Sequence, residues 1–424
     1  MKRIILLGIL VCSLLLLGGC AVMPASDVPK KEEKVLLTVL AGESTSDPGM
    51  ADLICERIEK AFPNVQLEWE NVDWGERFSG RLNAMISSGE TPDIIIGKAQ
   101  DVQAFYPTGA LGTWPQALAE RLVPEAAQAG IAEDKLYGLV YNQLYQGVLY
   151  NKNIFYRYNF EVPQTEEELA AIIDRLHRVG RTPFASHFQE VWNTGNILMQ
   201  FAIGDVFSKD LQWGDRLRAG EVSFADSAYR RCAEKVVYQY KNTWSDAMQV
   251  MQSESDLRFA DEKAVMYMGG TWSIQALQSI APHRKIGIFP YPNQTGDAKL
   301  IAEPNITFMK GAMTKHSDLI DEIFAMLLAD SELAQTVCAF TQTDTCLKDV
   351  SVDSLKMIRK DIEKYRAEGR IVSASIGNNQ LIWAFQYDCA ELLLRHLRGE
   401  MTLDEVLARW DELRMESSTS QNSH

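Results

Sequence analysis

One tryptophan among the nine in this 424-residue chain raises a chemical question at once. Residues 265–273 read VMYMGGTWS: four apolar residues, two glycines, a threonine, then Trp272. An apolar run ending in glycines has the pattern of a buried strand and its end. A large ring just past that end is either a core residue reached by a bent chain or a flat surface offered to something outside. Gly270 belongs to the same feature, because glycine permits close backbone approach and a positive φ. Met266 and Met268 read as core.

Covalent and metal chemistry find little support. The chain has no G-x-S-x-G elbow, no H-E-x-x-H and no P-loop, and no two of its six histidines stand at metal-ligand spacing. It also lacks a CxxC pair and a His-rich tract, so neither a metal nor a cofactor is expected. Its 57 acidic residues leave one enzymatic reading open, two carboxylates flanking a glycosidic bond. Five cysteines (55, 232, 338, 346 and 389) remain after those at 12 and 20 are set aside. An odd number leaves at least one thiol unpaired. Cys338 and Cys346 are near enough in sequence to bridge, but all five read better as small buried apolar residues.

The elements that must position these residues begin with VLLTVL at 35–40, a continuous apolar run typical of a strand buried on both faces. The loop AGESTSDPGM leads to a helix with Met50, Leu53, Ile54 and Ile58 on one stripe, its start capped by Ser46 or Asp47 and Pro48. A strand over 65–72, a helix over 74–88 stopped by Gly89, and the strand in TPDIIIG complete a β-α-β-α-β unit of a parallel sheet. In such sheets ligands bind outside the carboxyl ends of the strands. The segment 136–155 reads as short tyrosine-rich strands divided by Gly138 and Gly147. Thr165 and Glu168 form a capping box for a helix that Gly180 ends. Helices are expected over about 317–340, 351–368 and 380–397, and an amphipathic helix begins near Thr402 or Asp404. Residues 413–424 read as a polar, disordered tail.

The N-terminus, MKRIILLGILVCSLLLLGGC, has the layout of an export signal over residues 1–19. Its apolar run, Ile4 to Leu17, falls short of the roughly 20 residues that cross a bilayer. Leu17-Gly18-Gly19-Cys20 resembles a lipobox, which implies cleavage before a diacylated Cys20 and firm anchoring to the membrane surface. Residues 20–34 then form a flexible tether. The formal charge of −15, or −17 without Lys2 and Arg3, argues against nucleic acid or an anionic membrane face as a partner.

Four stretches, GETPDIIIG, YGLVYNQLYQGVLYNKNIFYRYNFEVPQTEEELAAIIDRL, FADEKAVMYMGGTWSIQAL and GEMTLDEVLARW, are similar in order and spacing to the extracellular solute-binding proteins of ABC importers, especially the sugar-binding family 1. The resemblance implies an α/β fold of the periplasmic-binding-protein type (type II): two lobes, each a sheet flanked by helices, joined by hinges, with ligand held between them. We place the first lobe at 35–145 plus 290–345 and the second at 146–289 plus 346–412. It implies a monomer that hands a sugar or oligosaccharide to a permease pair. Two rivals stand beside it, a secreted glycoside-active enzyme and a receptor feeding a membrane sensor kinase.

A sugar has polar hydroxyls at its rim and apolar C–H faces, so its site needs flat aromatic rings with amide and carboxylate groups around them. Trp272 is the first candidate, since the family often carries a stacking aromatic there, with Gly270 beside it. Trp192 and Asn193 in SHFQEVWNTGN are the second. The others are Glu43 and Ser44 after the first strand, Tyr141 and Asn142 near the lobe crossing, Trp74 and Glu76 at the second helix, and Asn379 and Trp383 late in the chain. Trp114 and Tyr291 are weaker, and Trp69, Trp213, Trp244 and Trp410 read as packing or surface residues.

Overall fold

A computed structural model describes residues 34–42, 49–73, 76–377 and 386–421. In chain order its strands are β1 (Val35–Gly42), β2 (Val65–Val72), β3 (Ile94–Gly97), β4 (Leu111–Gly112), β5 (Ile131–Ala132), β6 (Lys135–Leu136), β7 (Gly138–Asn151), β8 (Thr182–Ala185), β9 (Ala264–Gly270), β10 (Ile286–Phe289), β11 (Leu300–Gly311), β12 (Asp344–Thr345) and β13 (Ile371–Ser373). Eleven of them share one sheet whose main path runs β2-β1-β3-β11-β7-β9-β8. β1 pairs in parallel with β2 and β3, the expected β-α-β-α-β unit, with helices Gly49–Ala61 and Glu76–Ser88 as its crossovers.

Side-chain alternation shows why this unit is so apolar. Leu37, Val39, Ala41, Ile94 and Ile96 enter one cluster, while Leu40 and Ile95 enter another with Phe78, Leu82 and Met309. Both faces of the sheet are covered, as period-2 alternation in a two-sided parallel sheet requires. A third and larger cluster holds Val148, Leu149, Phe184, Val265, Met266, Met268 and Trp410. The methionine-rich strand at 265–268 is therefore core, and Trp410 packs against Phe224 and Tyr229 at 5.9 Å.

The lobes are joined by long strands. Leu139, Val140 and Tyr141 of β7 lie in the first lobe's core, and Tyr145, Val148 and Leu149 lie in the second's. Antiparallel β11 makes the same passage in reverse, with Ile306 and Phe308 on one side, Leu300, Ile301 and Ala302 on the other, and a register shift between Pro304 and Ile306. Residues 300–302 thus pack with the second lobe's core, and Cys346 and Leu347 with the first's. A buried polar cluster sits at the crossing. Arg366 donates to Glu125 Oε1 at 2.9 and 3.0 Å and to the Tyr145 hydroxyl at 2.5 Å. Tyr145 donates to Asp344, which Arg359 also meets at 3.3 Å.

Several expectations are corrected. Gly138 does mark a division, between β6 and β7, but Gly147 does not, because β7 runs unbroken over the 14 residues Gly138–Asn151. A Cβ at Gly147 would lie 2.7 Å from the Phe289 carbonyl oxygen, so this glycine admits a neighbouring strand rather than a bend. The helix expected over 317–340 is two, Ser317–Leu327 and Ser331–Thr341, bent by 77° where Asp330 accepts from the Leu333 N–H and caps the second. The helix expected over 351–368 is confined to Arg359–Ala367. The last helix, Leu403–Gln421, runs on through most of the expected polar tail. Propagation costs little once Val406, Leu407 and Trp410 anchor it. The Thr165–Glu168 capping box forms as expected. The five described cysteines are all free thiols, four of them buried, and Cys338 and Cys346 are not bridged.

Candidate functional site

β9 ends at Gly270 beside β7, with Gly270 opposite Gln146 and the Thr271 hydroxyl accepting from the Tyr145 N–H at 3.1 Å. A turn of 3-10 helix over Thr271–Ser273 then carries the half-buried Trp272. Its ring folds back over Gly270, where a Cβ would lie 1.9 Å from the indole Cζ3. Gly270 has φ of −147°, so the expected positive φ is absent. Close approach is what requires glycine: the α-carbon is the seat of the ring.

The second sequence candidate meets the first. Trp192 lies in the first turn of the helix Val191–Ala202, also half-buried, and its ring is 6.3 Å from that of Trp272 at 70°. This edge-to-face geometry is the one aromatic quadrupoles favour. The Trp192 indole N–H donates to Glu190 Oε1 at 3.3 Å. Beneath it His187, 1% exposed, stands 5.2 Å ring to ring from Trp192 and 2.9 Å from Glu190 Oε2. Burial pushes the His187 imidazole down to about 4 against the pull of Glu190, so it is neutral at physiological pH. Asp256, 3% exposed, is also close by, and burial lifts its carboxyl to about 7 against the opposing hydroxyls of Tyr267 and Ser273, with the charge of Glu190 adding to the rise.

A cavity of about 430 Å³ lies between residues of the two lobes. Gln103, Tyr106, Gln128, Glu133 and Asp134 line one side, and Leu211, Ser373 and Ser375 the other. Glu133 and Asp134 are the two turn residues of the β5–β6 hairpin, with φ of 46° and 60°. That is the primed turn geometry of tight hairpins. Amide, hydroxyl and carboxylate groups mixed with apolar surface can hold a polyhydroxylated ligand. Sequence reasoning missed Glu190, His187, Asp256 and this lining. Glu190 lay within a stretch already singled out, and IAEDKL carries the hairpin pattern.

The remaining candidates divide. Asn193 is buried and turns its amide onto the His187 carbonyl oxygen at 2.6 Å, holding the loop rather than facing solvent. Tyr141, 1% exposed, packs edge-on against Phe308 in the first lobe's core. Asn142 is wholly buried, donating to Thr341 and Thr343 and accepting from the Ile306 N–H. In this conformation the polar groups or rings of these three face the protein. Glu43, Ser44, Trp74, Asn379 and Trp383, together with Cys20 and the side chain of Glu76, lie outside the described residues. Trp114 and Trp213 are buried, and Trp244 donates to the Ser186 carbonyl oxygen. Tyr291 lines a separate cavity of about 460 Å³ beside the helices Glu166–Arg178 and Ser227–Lys241. Three of the charges there are joined, Glu166 meeting Arg231 at 3.1 Å and Lys235 at 2.8 Å.

Two cores joined by crossing strands thus carry paired half-buried indoles and a polar cavity between residues of the two lobes. Residues 54–320 match the family described as bacterial extracellular solute-binding protein. The chain belongs to that family. It is 26% identical over 329 residues, 74% of this chain and 76% of the other, to the multiple sugar-binding protein of Streptococcus mutans. Among solved structures, the binding protein MsmE of Bacillus subtilis in an open conformation aligns with a TM-score of 0.74 at 18% identity, covering 92% of this chain and 99% of that one. RafE of Streptococcus pneumoniae in its apo form aligns at 0.71 and 18%, covering 90% and 98%. A RafE complex with raffinose aligns at 0.64 and 17%, covering 90% and 100%.

Proposed function

We propose that this protein captures a sugar or oligosaccharide between its two lobes, with the Trp192–Trp272 surface and the polar cavity as its contacts, and delivers it to the permease of an ABC importer. The observation that carries the reading is the pair of half-buried indoles, 6.3 Å apart, from segments 80 positions apart in sequence. Rings of that kind match the apolar faces of a pyranose, and the carboxylates and amides of the cavity match its hydroxyls. The names of two relatives, a multiple sugar-binding protein and a raffinose complex, point the same way. Glu43, Ser44, Trp74, Glu76, Asn379 and Trp383 remain proposed contacts. In this reading the protein is a monomer without turnover, held outside the cytoplasmic membrane by a diacylated Cys20.

Thermal shift against raffinose and a glycan panel tests the reading. A bound sugar raises the melting temperature without chemical change, because it binds the folded state alone. Release of smaller sugars would point instead to a glycoside-active enzyme. If Trp192→Ala and Trp272→Ala both leave affinity for the sugar found unchanged, the site is misplaced. Cys20→Ala is expected to move the protein from the membrane fraction to the medium, and its retention in the membrane would refute anchoring through that thiol.

A further inference from the structure

The loop before Trp192 and the turn carrying Trp272 are tied to one carboxylate. Glu190 Oε1 accepts the Trp192 indole N–H at 3.3 Å, and Oε2 accepts the Gln252 backbone N–H at 2.6 Å. Gln252 opens the helix Gln252–Ala260, and its side-chain amide donates at 3.2 Å to the hydroxyl of Ser273, the neighbour of Trp272. Oε2 also lies 2.9 Å from Nδ1 of His187, whose ring is 5.2 Å from that of Trp192. A single side chain thus reaches the first indole directly and the second through two further hydrogen bonds. Gly270 closes the circuit by giving the Trp272 ring its seat.

We propose that Glu190 is a positioning residue, fixing the angle between the Trp192 and Trp272 rings and so the shape of the surface a sugar meets. Two physical points support this role. Edge-to-face indoles retain a torsional freedom that packing alone restrains weakly, since each ring here is only half-buried. A charge-assisted hydrogen bond to an indole N–H removes that freedom in a fixed direction. The carboxylate also does not cap its own helix: Glu190 stands at the N-cap of Val191–Ala202 without a side-chain cap bond. Its acceptor capacity is turned to Trp192 and Gln252 instead, with His187 Nδ1 2.9 Å from Oε2. The sugar-binding part of this inference rests on the function proposed above, whereas the geometric part does not.

The first measurement needs no ligand. Indoles this close couple their electronic transitions, so circular dichroism shows a couplet that Trp192→Phe and Trp272→Phe each abolish. Glu190→Ala is expected to cut that couplet by more than about half, because free indoles average over rotamers. Glu190→Gln keeps the volume and one carbonyl acceptor, and carries the same test where the alanine protein does not fold. It should retain part of the couplet, since one acceptor cannot satisfy all the donors. The second measurement is calorimetric titration with raffinose. Glu190→Ala should weaken binding about tenfold in the native background and by less than about twofold in a Trp192→Phe background, the non-additivity of residues acting through each other. An unchanged couplet in both variants overturns the inference. So does an undiminished affinity loss in the Trp192→Phe background, which would mean that Glu190 meets the sugar itself. Failure of raffinose to bind counts against the proposed function alone, and the couplet still decides the role of Glu190.

Discussion

Asp256 gives the sharpest test of how the ground beneath the indole pair is built. Burial lifts its carboxyl from the ordinary 3.8 to about 7, with the side chain almost fully enclosed near Tyr267, Ser273 and Glu190. The unfolded chain gives up this proton near pH 3.8, and the folded chain holds it to about pH 7. Between those values the folded state binds more protons, so stability falls as pH rises, at 1.36 kcal/mol per pH unit. Over the whole interval the loss is about 4 kcal/mol, and between pH 5 and pH 8 it is about 3 kcal/mol. His187 runs the other way. Its folded pKa of about 4 lies below the ordinary 6.5, so its contribution rises with pH across that range and masks much of the effect in the native protein. Asp256→Asn removes the first term and leaves the second. Urea unfolding of both proteins at pH 5 and pH 8 should show the variant gaining on the native protein by about 3 kcal/mol between the two pH values. A difference that stays constant within about 0.5 kcal/mol would refute a carboxyl held neutral by burial.

Two further outcomes follow from the geometry. Gly270→Ala puts a methyl where the Trp272 ring now lies, so the ring must leave its seat; sugar affinity should fall about tenfold, with a stability loss of roughly 1–3 kcal/mol in thermal melts. Arg366→Met leaves the Glu125 carboxylate buried without its cation at the lobe crossing and should cost roughly 3 kcal/mol, whereas adding Glu125→Gln should recover more than half; additive losses in a double-mutant cycle would contradict the pairing.

How much of this was readable beforehand depended on whether the signal was local. The first three strands, the Thr165–Glu168 capping box and the methionine core strand follow from periodicity and spacing within a dozen residues. Trp192 and Trp272 could each be singled out as an aromatic beside small or polar residues. Their meeting could not, because it depends on where β9 ends against β7 and on how the helix Val191–Ala202 leaves its loop. Glycine misled where its reason was tertiary. At Gly147 a neighbouring strand's carbonyl occupies the Cβ position, whereas at Gly270 the expected close approach holds, an indole lying there, and only the positive φ fails. Sequence shows only that a side chain is missing, and a bend was the nearest local explanation. Asp256 carried no signal, and Glu190 had only its place beside Trp192 in a stretch already singled out, since acidic residues in helices and polar loops are ordinarily solvated.

The buried polar groups at the lobe crossing and those near the indoles are built differently. At the lobe crossing each charge is bonded: Arg366 to Glu125, Arg359 to Asp344, with the Tyr145 hydroxyl between. A network of that kind costs desolvation but fixes one arrangement of the segments that meet there. Beneath the indoles, Asp256 Oδ1 and the Tyr267 hydroxyl have no aligned hydrogen-bond partner among the described residues, and His187 is held neutral. Apolar residues in those positions would be more stable, by the few kcal/mol that an unsatisfied buried polar group costs. Departures from the most stable choice concentrate where a protein does its work. By that reasoning the cost lies under Trp192 and Trp272 because the loop Ser186–Glu190 and the turn Thr271–Ser273 must hold two indoles half out of the core. A purely apolar bed would draw the rings inward, and the protein would lose the surface on which it meets its ligand.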